Sequence, residues 1–216
     1  MGKAVILRIV LSAALAVSAM AAQAQSLPKP KEFYFDVDAT SARRLMAISD
    51  GLQGDALAAQ LVKMMERGRK PVEATSQLAH IAFQSDRTEL GRTLYKQAFD
   101  KTGGAGSNLG RAVAWNYGWD LLHAGDAEGA LAQWGMLAGS GLGAPSWIPP
   151  TLALGLWQAG QKDEAVQWYA AAVRTEPDQW SNAANFAMLL PDWSVQDRDV
   201  LAQVLAAWQA APPAWP

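Results

Sequence analysis

Four stretches of the chain share one internal step. Leu45 is followed 13 residues later by Ala58, Leu78 by Gly91, Tyr117 by Ala130 and Leu152 by Ala165. Four positions beyond each small residue stands a large one: Val62, Tyr95, Trp134 and Tyr169. The residue after the first large one is small in three copies, Ala79, Gly118 and Ala153, with Met46 the exception. The small residues lie 33, 39 and 35 positions apart, a spacing that matches one helix pair per repeat. A large-small step on one helix facing a small residue on the next lets two antiparallel helices cross closely, and the large residue one turn later fills the space beside the crossing. Turn signals fall where such a pair needs them, at Ser85-Asp86, Ala124-Gly125-Asp126 and Ala159-Gly160-Gln161.

On these residues the chain resembles the tetratricopeptide repeat (TPR) family, most clearly in Leu152-Ala153, Leu156, Gly160, Ala165, Tyr169, Ala172 and Pro177. Tyr117-Gly118, Leu121, Gly125, Ala130 and Trp134 form a second copy, Leu78-Ala79, Ala82, Gly91, Tyr95 and Ala98 a third, and the residues around Leu45 and Ala58 a weaker one. The resemblance spans about residues 40–211. It implies an all-α, right-handed superhelical solenoid of four antiparallel helix pairs with a C-terminal capping helix. Thr102 to Gly110 and Gly139 to Pro145 lengthen two links. Phe186-Ala187 and Leu190 begin a further copy that Pro191 stops, after which Ser194 to Asp197 supplies an S-x-x-D helix start. The helix that follows carries Leu201, Val204, Leu205 and Trp208 and reads as the cap, and a Pro-rich tail covers residues 212–216.

Residues 1–24 read as a secretory signal. Lys3 and Arg8 precede or interrupt an apolar run too short to span a bilayer, and Ala22-Gln23-Ala24 offers a small-residue cleavage site. The mature chain is expected to start at Gln25, with no permanent membrane span, and to be periplasmic; the Ala-rich signal has a bacterial style, and secretion beyond the cell is the alternative. Residues 25–39 are expected to be extended. There Phe33, Phe35 and Val37 alternate with other residues, so one side is buried, either over the flank of the first helix pair or as an edge offered to a partner.

Composition narrows the function. Half the residues are hydrophobic, and 18 Lys+Arg stand against 20 Asp+Glu. Loss of Lys3 and Arg8 leaves 16 basic groups and a formal charge of −4, which gives no basis for gripping a nucleic-acid backbone. The absence of cysteine removes thiol catalysis, zinc-thiolate sites and a lipid-modified cysteine together. The run Gly103 to Gly110 follows a predicted helix and leads to Arg111, so it lacks the context of a phosphate loop. His80 and His123 stand on different predicted helices without a ligand-type partner at helical spacing, and no G-x-S-x-G elbow exists. No metal, cofactor or catalytic residue is therefore expected.

All ten tryptophans lie at or beyond Trp115. If Tyr117, Gly118 and Leu121 face the neighbouring helix, Trp115, Asn116 and Trp119 share the adjacent stripe. In the resembled family that stripe lines the concave groove. The same register brings in Gln77, His80 and Phe83 before it and Trp147, Trp157 and Asn185 after it. Aromatic rings supply rigid contact area, and side-chain amides both donate to and accept from a peptide backbone. The expected function is an exported, non-catalytic adaptor binding a protein or peptide in that groove. A periplasmic glycan-binding protein and a structural subunit of an envelope assembly are the alternatives.

Overall fold

The computed structural model describes residues 27–30, 33–34, 42–138 and 145–214. The expected signal peptide lies outside these residues, as do most of the following segment, the middle of the link before Pro145, and Trp215 and Pro216. Every regular element among the described residues is helical: α1 (Gly54–Arg67), α2 (Pro71–Gln84), α3 (Thr88–Asp100), α4 (Asn108–His123), α5 (Ala127–Ala138), α6 (Ile148–Gln158), α7 (Lys162–Thr175), α8 (Pro177–Trp180), α9 (Phe186–Leu189) and α10 (Val195–Ala210). A short 3-10 turn, Ala183–Asn185, joins α8 to α9. No helix among the described residues is long and apolar enough to cross a membrane.

Neighbouring helices pack as pairs, α2 with α3, α4 with α5 and α6 with α7. The three links use one turn. Arg87 donates its backbone N–H to Ala82 O (2.8 Å), Asp126 to Leu121 O (2.8 Å) and Gln161 to Leu156 O (2.9 Å). The residue before each donor is left-handed: Asp86 (φ 57°), Gly125 (φ 83°) and Gly160 (φ 80°). This closure satisfies orphan carbonyls at the helix end, and glycine adopts it without the Cβ penalty that an aspartate carries. Helix starts are equally local: Pro71 opens α2, the Ser107 hydroxyl accepts from Gly110 N–H at α4, and Ser194 and Asp197 form a reciprocal capping box at α10.

Inside the pairs the repeat positions do what their spacing requires. Tyr95, Trp134 and Tyr169 are at most 1 % exposed, and Gly91, Ala130 and Ala165 are buried against the facing helices. The tightest seam is between α4 and α5, where a Cβ on Gly118 would overlap the Trp134 indole. A Cβ on Gly155 of α6 would come within 3.2 Å of the far edge of the same ring. Trp134 thus wedges between α4 and α6.

Two expectations change. Leu45 is not helical, so among the described residues three of the four expected pairs are present, α2–α3, α4–α5 and α6–α7. Gly51 (φ 87°) and Gly54 (φ 55°) hold the chain in conformations incompatible with a helix running through them. Leu45 is nevertheless buried, in a cluster with Val72, Ala79 and Tyr95, reached from an extended segment. α1 packs on α2 with Val62 exposed. The second change is one of parity near the N-terminus. Phe33 is 47 % exposed and Tyr34 is buried, its ring 5.9 Å from Trp168 and its N–H bonded to Thr175 Oγ1 at 3.0 Å. It therefore covers α7, not the first helix pair; Phe35 and Val37 lie outside the described residues.

α10 packs on both α6 and α7, burying Leu201, Val204 and Leu205, while Trp208 is half-buried. The tail is held where Arg174 donates to Pro213 O (3.2 Å).

Gly118→Ala is expected to lower stability by about 1–3 kcal/mol, since the added methyl displaces a fully packed indole. Asp86→Gly is expected to raise it by up to about 1 kcal/mol by relieving a left-handed aspartate. Urea unfolding followed by circular dichroism measures both.

Candidate functional site

A cleft of about 540 Å³ opens where α2, α4, the residue before α6, the α9–α10 link and the extended segment before α1 meet. Of the residues expected in a groove, His80, Trp115, Asn116, Trp119 and Trp147 line it. The other four are elsewhere. Gln77 is buried under the extended segment. Phe83 packs between Tyr95 and Tyr117, with centroids at 6.1 and 6.2 Å. The Trp157 indole donates to Gln203 at 3.4 Å and lies under the Lys162 ammonium. Asn185 donates to the carbonyls of Asp178 (3.1 Å) and Gln179 (2.9 Å), closing the turn after α8.

The aromatic wall is built outward from Trp134. Its indole N–H donates to Trp115 O (3.2 Å), and its ring lies 6.0 Å from Trp115 and 5.2 Å from Trp119. Trp147 sits 4.3 Å from Trp115, and Trp193 sits 4.9 Å from Trp119, both edge to face. Trp115 is only 7 % exposed, so it belongs to the core as much as to the cleft, whereas Trp119 and Trp147 are half-buried. The i, i+4 stripe is real, but mutual packing of the indoles takes up much of its surface.

The polar side of the cleft is a chain of hydrogen bonds. Asp120 accepts from the Tyr95 hydroxyl at 2.6 Å and pairs with His80 Nδ1 at 2.7 Å. The Arg44 guanidinium meets His80 Nε2. A guanidinium only donates, so Nε2 accepts and Nδ1 carries the proton given to Asp120. Both ring nitrogens are then engaged. Burial, reinforced by the Asp120 charge, pushes the Tyr95 hydroxyl well above the ordinary tyrosine range, so it acts as a donor and not as a base. No group of three or more histidine and acidic residues that would hold a metal ion occurs among the described residues.

A second histidine–carboxylate pair closes the opposite side. His123, beside the Trp119 ring at 5.5 Å, bonds Asp197 Oδ2 at 3.1 Å, and that same oxygen accepts from Ser194 Oγ at 2.6 Å. Asp197 therefore ties α4 to the cap of α10. The bond to Asp197 raises the His123 pKa against the opposing effect of burial. Burial pushes Asp197 upward, but the bonds from His123 and Ser194 outweigh it and hold the carboxyl below its ordinary value.

The extended segment is bound through its backbone. Asn116 accepts from Leu45 N–H at 3.2 Å and donates to Arg43 O at 2.8 Å. Gln77 accepts from Ala47 and Ile48 N–H at 2.9 and 3.1 Å and donates to Ile48 O at 2.8 Å. Of the three amides expected along the groove, Gln77 and Asn116 bind backbone of the chain's own extended segment, and Asn185 closes a turn instead. Arg44, Asp120, His123, Trp193 and Asp197 are further parts of the site that sequence reasoning missed. Asp120 and His123 lie one turn beyond Asn116 and Trp119 on the same helix, and Asp197 had the S-x-x-D helix start, which says nothing of its reach to α4; Arg44 and Trp193 had no signal.

The His123–Asp197 pair predicts a pH optimum of stability. The raised histidine contributes fully below its ordinary value of 6.5 and loses its contribution as pH rises through the higher folded value. The lowered carboxyl contributes above its ordinary value of 3.8 and loses its contribution as pH falls through the folded value. Thermal melts should therefore show less decline from pH 6 to pH 9 in His123→Gln than in the unaltered chain; equal declines would remove the pair from the account. No family model, curated protein or solved structure matches the chain.

Proposed function

We propose that the chain is an exported, non-catalytic adaptor of TPR-like architecture that binds an extended stretch of a partner protein on the face made by α2 and α4. One observation carries this reading: side-chain amides on two successive first helices, Gln77 and Asn116, already clasp an extended backbone by both its N–H and C=O groups. Such contacts read main chain without dictating sequence, and a neighbouring pocket supplies the preference. The cleft walled by Trp119, Trp147 and Trp193 continues from that backbone track, and indoles offer rigid contact area at small entropic cost. His80 serves here as an orienting group between Arg44 and Asp120. The pattern of an export signal in residues 1–24 supports an adaptor that works in the periplasm, with secretion beyond the cell as the alternative.

Selection of random displayed peptides on the mature chain tests the reading. Enriched peptides should bind the unaltered chain and bind a folded Trp119→Ala variant, which loses part of the cleft wall, at least tenfold more weakly. Failure to enrich any peptide, with retention of oligosaccharides on a glycan array, would overturn it in favour of stacking of sugar rings on the indoles.

A further inference from the structure

The segment that runs over α2 and α4 is seated as a ligand would be. Its backbone is read by Asn116 and Gln77. Leu45 drops into a closed apolar hole and is 4 % exposed, surrounded by Val72, Ala79 and Tyr95. Arg44 points the other way, into the cleft rim, onto His80. Arg43, Arg44 and Met46 are all exposed, and of the three it is Arg44 that lines the cleft and bonds His80. Successive residues of an extended chain point to opposite sides, so an arginine and a leucine in sequence address the cleft and the hole respectively.

Charge supports the same pairing. Apart from Arg44, the cleft lining carries Asp120, Asp192 and Asp197 and no lysine or arginine, with His80 and His123 its other ionisable bases. Indole walls beside carboxylates favour a guanidinium, which stacks on rings and bonds acceptors at once.

We infer that residues 42–48 are an exchangeable resident of a peptide site, and that its partner ligand is an extended segment of another protein carrying arginine followed directly by an aliphatic residue, which enters by displacing them. This rests on the peptide-binding function proposed above and names the ligand of that site. The resident segment is tethered, so it competes at high effective concentration. Binding by a free peptide is accordingly weak until the segment is loosened.

The test uses a fluorescent peptide with the sequence of residues 42–49 and the full chain in three forms: unaltered, Ala47→Pro and Leu45→Ser. Ala47→Pro deletes the N–H that Gln77 accepts without removing an apolar side chain from the core, and circular dichroism verifies that each host is folded. Anisotropy should show at least tenfold tighter binding to the loosened hosts than to the unaltered chain. Peptides with Arg44→Glu or Leu45→Asp should bind at least tenfold more weakly, and Asn116→Ala added to Ala47→Pro should abolish the gain. A folded Ala47→Pro host that binds no better than the unaltered chain makes the segment a fixed part of the fold and overturns the inference. Equal binding of the unaltered and Arg44→Glu peptides overturns the arginine-aliphatic preference while leaving the peptide site standing. A dimer of the unaltered chain that excess peptide dissociates assigns the site to a second copy and overturns the foreign ligand.

Discussion

The contact of the Trp134 indole with the bare backbone of Gly118 organises the centre of this molecule. A tryptophan removes about 150–250 Å² from water on burial, worth about 4–6 kcal/mol at about 25 cal/mol per Å² before entropy and desolvation. That gain requires a slot that fits. Glycine at 118 supplies one side, Gly155 and Leu131 bound the other, and the indole N–H is satisfied by Trp115 O. Helix pairs are thereby joined to one another, because a single ring on α5 touches both α4 and α6. The same ring props Trp115 and Trp119 in place. Core and cleft share a wall, so the site inherits the rigidity of the best-packed part of the chain.

The segment over α2 and α4 is in the opposite regime. Five hydrogen bonds from Asn116 and Gln77 hold it. At about 0.5–1.5 kcal/mol net for each, with about 1.5–3 kcal/mol for burying Leu45, the favourable side is about 4–10 kcal/mol. Fixing the six residues from Arg43 to Ile48 costs about 6–12 kcal/mol of backbone entropy. The two nearly cancel. A segment so nearly balanced is seated by few interactions, so losing one of them loosens it, while its tether keeps it beside the site as a competitor at high effective concentration.

Much of the scaffold is legible in the sequence because helix pairing is a local matter. The step from Leu78 to Gly91, Tyr117 to Ala130 and Leu152 to Ala165 states which residues cross, and the turns at Asp86, Gly125 and Gly160 state where the helices stop. Leu45 shows the limit. Apolarity demands burial, which the structure grants, but it does not specify the backbone that delivers the side chain, and the two left-handed glycines after it carried that information. The parity of Phe33 and Tyr34 is a similar case: alternation was readable, while the choice of inner face depended on Trp168, more than a hundred residues away. The site was half legible for the same reason. Residues on one helix stripe, Trp115, Asn116 and Trp119, could be grouped by spacing, whereas Arg44, Trp193 and Asp197 arrive from segments whose path is set by tertiary packing.

Asp197 links these scales. Its carboxylate is the reciprocal partner of Ser194 in the box that starts α10, and it is also the acceptor for His123 at the rim of the cleft. Trp193 stands one residue before that box, with its ring on Trp119 and its carbonyl accepting from Arg198 at 2.5 Å. The start of the last helix is consequently part of the cleft wall. α10 in turn covers α6 and α7. The rim of the cleft, the start of α10 and its seat on α6 and α7 are therefore one packed unit, joined by a few side chains within a single helical turn.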